Sequence, residues 1–141
     1  MSETTVAFGQ HPSAQRTIVH VSDTHLLADN VALGGRYDTE TSLRRTMERV
    51  GELRLAPDAL VFTGDLTDLG EPDAYERLRD IVEPAAAEWG CPIAWVAGNH
   101  DERPALRESL LGLEPTEEPV LGEWDLGGLR LLALDSSVPG W

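Results

Sequence analysis

Thr17-Ile18-Val19-His20-Val21-Ser22-Asp23-Thr24-His25 sets a β-branched run directly before two side chains of metal-binding type. The pattern returns twice. Ala59-Leu60-Val61-Phe62 leads into Gly64-Asp65-Leu66-Thr67-Asp68, and Ile93-Ala94-Trp95-Val96 into Gly98-Asn99-His100-Asp101. Runs of this length and composition, bounded by Gly, Asp and Asn, read as buried strands. In an open α/β sheet, ligands bind just beyond the carboxyl ends of the strands. The fold therefore brings Asp23, His25, Asp65, Asn99 and His100 to one rim. Hard oxygen donors mixed with imidazoles suit Mn²⁺, Fe or Zn²⁺ rather than Ca²⁺.

The segments between the strands read as helices. Leu43, Met47, Val50 and Leu53 keep helical spacing over residues 40–55, and Pro57 disfavours helix at the residue before it. A second helix starts at Pro72, where a missing N–H does no harm. Tyr75, Leu78, Val82, Ala86 and Trp89 form its apolar stripe, Pro84 is expected to kink it, and Gly90 to end it. A short helix is expected over 104–111. Residues 120–125 and 129–134 flank Leu126-Gly127-Gly128, which reads as a hairpin turn. The order is βαβαβα followed by ββ, so the expected class is α/β with a parallel sheet and right-handed crossovers.

Composition narrows the function. The chain has 141 residues, enough for one domain with a sizeable core. Its single Cys91 cannot form an intramolecular disulfide and fits a reducing compartment. The start, Met1-Ser2-Glu3-Thr4-Thr5, lacks a basic and an apolar leader region, and no apolar run reaches the length of a membrane span. A cytoplasmic protein is expected. A net charge of −14 argues against nucleic acid as a partner, because a backbone reader needs clustered Lys and Arg. The same charge at a carboxylate-lined rim favours divalent cations.

Plainer roles compete at each position. A lone strand-end Asp often caps a helix, but Asp23 has His25 two residues on, and both can converge on one ion. Gly64 permits a sharp turn, from which Asp65 could bridge two ions. Asp68 is expected to make a structural hydrogen bond to a neighbouring loop. Asn99 can lend its carbonyl oxygen to a metal. His100 can ligate, or donate to a phosphate oxygen. His20 reads as a core or edge histidine, His11 as part of a polar arm over 1–16, Cys91 as packing, and Asp135 as a strand end.

The three motifs, D-x-H, G-D-x-x-D and G-N-H-[DE] in that order, resemble those of the calcineurin-like metallophosphoesterases. The wider stretches 19–26, 57–72 and 134–140 are similar to the class III cyclic nucleotide phosphodiesterases, especially actinobacterial ones. The resemblance covers residues 17–141. It implies two divalent ions, Fe or Mn with Zn as an alternative. Asp23 and His25 would hold one ion, Asp65 would bridge both, and Asn99 would bind the second. His100 would be catalytic, lying with Asn99 against the substrate and off the metals. A metal-bridging hydroxide would attack the phosphorus of a small cyclic nucleotide such as 3′,5′-cyclic AMP.

The chain also departs from that family. Members continue with further histidines, from a later strand-end motif and from G-H-x-H, whereas only His11, His20, His25 and His100 stand here. Residues 17–141 are accordingly expected to be the N-terminal part of an αββα sandwich whose second sheet is mostly missing. Residues 1–16 are expected to be a flexible arm, and self-association through uncovered apolar surface is expected. Two functional readings remain open. One is a metallophosphoesterase acting on cyclic nucleotides or another phosphoester. The other is a catalytically inactive fragment.

Overall fold

The computed structural model describes residues 9 and 12–138. His11 and most of the expected arm lie outside the described residues. Strands β1 (Ile18–Ser22), β2 (Ala59–Thr63) and β3 (Ile93–Val96) form a parallel sheet in the order β1-β2-β3. The register pairs Val21 with Phe62 and Phe62 with Trp95, so the three strands end almost level. Level ends matter, because each motif begins within two residues of its strand.

One face of the sheet builds the core. Leu60, Phe62 and Trp95 pack with α1 (Thr39–Glu52) and α2 (Pro72–Trp89), and Val19, Val21 and Ile93 flank them. The Phe62 and Trp95 rings meet at 4.7 Å between centroids. The opposite face is mixed rather than simply apolar. Ile18, His20 and Ser22 are exposed there, and His20 Nε2 lies 2.6 Å from Thr63 Oγ1. His20 is thus an edge histidine bonded to its own sheet.

Asp38 caps α1 by accepting from the Thr41 N–H at 2.9 Å. That bond, joined by the Thr41 hydroxyl, holds the Asp38 carboxyl below the usual carboxylate range. Helix α1 stops at Glu52, short of the expected 55. Arg54 and Ala56 turn to positive φ, and Leu53 and Leu55 stay exposed. The buried stripe is therefore only Leu43 and Met47. Helix α2 spans its expected length and continues through Pro84, which lies on its exposed side. Gly90, at φ 66°, ends it, and the Cys91 N–H closes back onto the Ala86 carbonyl at 3.1 Å.

The expected helix at 104–111 takes another form. An α turn, α3 (Arg103–Ala105), widens into a π-helical turn over Leu106–Leu110. Strands β4 (Gly122–Asp125) and β5 (Arg130–Ala133) form the antiparallel hairpin, with Gly127 and Gly128 both at positive φ. Its first strand starts two residues later than expected, because the Val120 N–H goes to Asp135 Oδ2 at 3.1 Å rather than to the ladder.

Candidate metal centre

Sheet pairing carries on past the strands and locks the three motif loops together. The Asp23 N–H donates to the Gly64 carbonyl at 3.2 Å, His25 N–H to Asp65 at 2.9 Å, and Gly64 N–H to Val96 at 2.8 Å. The chain turns sharply to achieve this. Asp23, His25 and Asp65 all sit at positive φ, at 57°, 43° and 46°. Asp and His tolerate that region better than most residues, yet each such position stores strain of roughly 1–3 kcal/mol.

Gly98 makes the close approach possible. A Cβ there would collide with the Asp65 backbone nitrogen and carboxylate. Gly64 faces it, where an added Cβ would lie 3.2 Å from Gly98 Cα. The second and third loops thus touch backbone to backbone directly under Asp65.

His25 organises the side chains. Its Nδ1 lies 2.9 Å from Asp68 Oδ1. A carboxylate only accepts, so Nδ1 carries the proton, and neutral His25 keeps its lone pair on Nε2. That nitrogen faces Asp65 Oδ2 at 3.6 Å and Asp23 Oδ1 at 3.9 Å. Asp23, His25 and Asp65 each present an atom within 4.8 Å of the others, with Asp23 the most exposed. A carboxylate behind a histidine that faces oxygen donors is how metal-binding imidazoles are oriented. The structural hydrogen bond expected of Asp68 therefore goes to His25.

A second convergent group joins His25, Asp68 and His100. Its chemistry differs. His100 Nδ1 donates to the Asp68 carbonyl at 2.8 Å, as His25 Nδ1 donates to the Asp68 side chain. Both Nδ1 atoms are spent as donors to Asp68, so neither imidazole offers this group a lone pair and Asp68 is the acceptor that joins the two rings. His100 keeps Nε2 free, its side chain is 42% exposed, and its ring meets His25 edge-on at 5.0 Å. The bond to the Asp68 carbonyl, with the charges of Asp65, Asp68 and Asp101 behind it, raises the His100 pKa above the ordinary imidazole value against a smaller opposing effect of burial.

Asp65 divides its oxygens. Oδ1 accepts from the His100 N–H at 3.1 Å, and Oδ2 points into the ligand group. Asn99 is exposed on the loop between Gly98 and His100. The five rim residues expected from the sequence thus lie on three adjoining loops at one end of the sheet.

Sequence reasoning gave no role to Asp101, although the motif contains it. Its two oxygens accept from the N–H groups of Leu66, Thr67 and Gly98 and from the Tyr75 hydroxyl. The bond back to Gly98, three residues earlier, is a local signal for such a turn. Arg103 was likewise given no role, and Asp135, read only as a strand end, has it as a partner. They form a buried pair at 3.0 Å, with Asp135 side chain fully buried just after β5.

A family model described as calcineurin-like phosphoesterase matches residues 16–136. The chain belongs to the calcineurin-like phosphoesterases. Among curated relatives, a probable cyclic nucleotide phosphodiesterase of Rhodococcus erythropolis is 47% identical over 96% of this chain and 44% of its own length. A cAMP/cGMP dual specificity phosphodiesterase of Mycobacterium tuberculosis is 45% identical over 93% of the chain and 41% of its own. A 3′,5′-cyclic adenosine monophosphate phosphodiesterase of Pseudomonas aeruginosa is 38% identical over 87% and 42%. This calcineurin-like phosphoesterase chain spans less than half the length of those relatives. No helix among its described residues is long and apolar enough to cross a membrane.

Proposed function

We propose that this chain carries the first half of the active site of a metal-dependent phosphodiester hydrolase, with a cyclic nucleotide such as 3′,5′-cyclic AMP as substrate. The observation that carries the reading is the orientation of His25. Asp68 fixes its tautomer, and Nε2 is aimed at Asp23 and Asp65. The donor set of two carboxylates, one imidazole and the Asn99 amide fits two divalent ions of the Mn, Fe or Zn class. Asp23 and His25 would serve one ion, Asn99 the other, and Asp65 both. When bound, the pair supplies Lewis acidity and an activated water for attack on phosphorus.

The chain's own groups do the rest. His100 is the catalytic residue. Its Nδ1–H is held by the Asp68 carbonyl, which turns Nε2 outward beside the ligand group. From there a protonated imidazole can meet a phosphate oxygen or give a proton to the departing ribose oxygen. Asn99, exposed on the same loop, supports the phosphate. Residues 17–141 form the N-terminal part of the phosphoesterase domain, working in the cytoplasm, where Cys91 stays reduced.

Metal binding tests this reading. With Asp23, His25, Asp65 and Asn99 as its ligands, the 141-residue chain is expected to bind Mn²⁺ weakly in a calorimetric titration. Asp65→Ala is expected to reduce the heat most, since one carboxylate serves both ions. Tight binding of two ions that survives Asp65→Ala overturns the site.

Self-association forms a further part of the proposal. Leu121, Leu132 and Leu134 are exposed at 66%, 56% and 66%, and β1 pairs with only one neighbour among the described residues. Open edges and exposed leucines favour association. Sedimentation is expected to show dimers or larger species at micromolar concentration. A sharply monomeric boundary removes this part of the proposal.

A further inference from the structure

Asp101 links two of the motif loops from below. Oδ2 accepts from Leu66 N–H at 3.0 Å and from Gly98 N–H at 2.8 Å, and Oδ1 from Thr67 N–H at 3.1 Å. Leu66 and Thr67 follow Asp65, whereas Gly98 precedes Asn99. One carboxylate thus sets the spacing between the Asp65 loop and the Asn99–His100 loop. The tolerance is narrow, because even a Cβ on Gly98 would collide with the Asp65 backbone and carboxylate.

What holds Asp101 is a residue of α2. Tyr75 is fully buried, donates to Asp101 Oδ1 at 2.8 Å and accepts from the Glu102 N–H at 3.0 Å. Its hydroxyl grips the carboxylate and the next backbone N–H together. Burial, with the negative charge of Asp101 added to it, pushes the Tyr75 pKa far above the usual phenol range, so the hydroxyl stays a donor. A tyrosine in an apolar helix stripe otherwise passes for packing. This one carries the only side chain of α2 that reaches the third motif loop by hydrogen bonds among the described residues.

We propose that Tyr75 is a positioning residue of the metal centre, acting through Asp101 to set the distance between the loop of Asp65 and the loop of Asn99 and His100. The proposal rests on the metal reading above. Tyr75→Phe keeps the ring and removes the bond. Loss of an orienting group of this kind weakens metal binding roughly 10–100-fold.

The experiment titrates Mn²⁺ into the 141-residue chain and four variants, with amide hydrogen exchange recorded metal-free. Tyr75→Phe is expected to bind about 10-fold more weakly and to speed exchange at Leu66, Thr67 and Gly98. Asp101→Asn, the second variant, is expected to move the same way. Val82→Ala trims a buried side chain two turns along α2, away from the loops. It is expected to lower the melting temperature without changing Mn²⁺ affinity. Equal affinity in wild type and Tyr75→Phe overturns the proposal, as does an equal weakening by Val82→Ala. Asp65→Ala separates the two failures. A wild type that binds Mn²⁺ no better than Asp65→Ala refutes the metal reading and Tyr75's role with it. One that responds to Asp65→Ala but not to Tyr75→Phe refutes Tyr75 alone.

Discussion

His100→Ala is expected to lower phosphodiester turnover roughly 10²–10⁴-fold while leaving metal content nearly unchanged. The assay joins this chain to the C-terminal half of the Rhodococcus relative, at saturating Mn²⁺ with 3′,5′-cyclic AMP. The reasoning is geometric. His100 spends Nδ1 on the Asp68 carbonyl and turns the exposed edge of its ring outward, so removing the ring deletes no donor atom from the Asp23–His25–Asp65 group. Asp23→Ala is expected to lose metal and activity together, because its carboxylate stands inside that group. The pair of variants therefore separates a group that acts on substrate from one that holds an ion. Metal lost from His100→Ala in step with activity would place His100 on the metal. Failure of the wild-type fusion to act on any cyclic nucleotide would remove the substrate assignment, and full activity in His100→Ala would remove the catalytic role.

Much of this arrangement is legible in the sequence, for a physical reason. Strand-end motifs are read from local sequence, and a parallel sheet aligns strand ends by its register. Ile93–Val96 and Pro72–Trp89 could therefore be drawn with their observed limits, and Asp23, Asp65 and Asn99 placed on one rim. Helix α1 ends short of the expected 55, although Leu53 keeps the spacing of a buried stripe. No packing partner covers it, so the positive φ of Arg54 and Ala56 ends the helix. The π-helical turn over Leu106–Leu110 has no periodic signature, since five residues make only a single turn. Within the site, residue types pointed to the candidate ligands and to a structural hydrogen bond at Asp68, but not to the partner of that bond nor to the roles of Asp101 and Tyr75. Asp68, Asp101 and Tyr75 act through bonds to residues 26 to 43 positions away. No spacing rule reaches that far, and only the bond from Gly98 to Asp101 is local. The family resemblance had the same bound. It implied the candidate ligands and a second sheet mostly missing here, and the described residues hold three parallel strands and a hairpin.

Arg103→Ala is expected to cost about 3–5 kcal/mol of unfolding free energy, the range for breaking a buried ion pair by removing one partner. Against a total of about 5–15 kcal/mol for a domain, that is enough to leave a large unfolded fraction. Arg103 is well buried and does three jobs. Nε meets Asp135 Oδ2 at 3.0 Å, and the other nitrogens donate to the Glu117 carbonyl at 2.9 Å and the Ser137 carbonyl at 2.7 Å. Alanine would leave Asp135 charged in a fully buried position, with two carbonyls unpaired. Arg103→Lys keeps the charge but cannot make the fork, so it is expected to recover only part of the loss. The pH dependence has a definite sign. Burial pushes the Asp135 carboxyl up, but its bonds to Ser137, Arg103 and Val120 together outweigh burial and hold its pKa below the ordinary value. A carboxyl with a lowered folded-state pKa stabilises the fold above its unfolded pKa of about 3.9. The contribution fades as pH falls through the folded value. The gap between wild type and Arg103→Ala is thus expected to be full at pH 7 and to narrow below about pH 4. Urea melts across that range measure it directly. A gap that stays constant down to pH 3 would show that the lost stability comes from the carbonyl bonds and packing of Arg103 rather than from its charge beside Asp135.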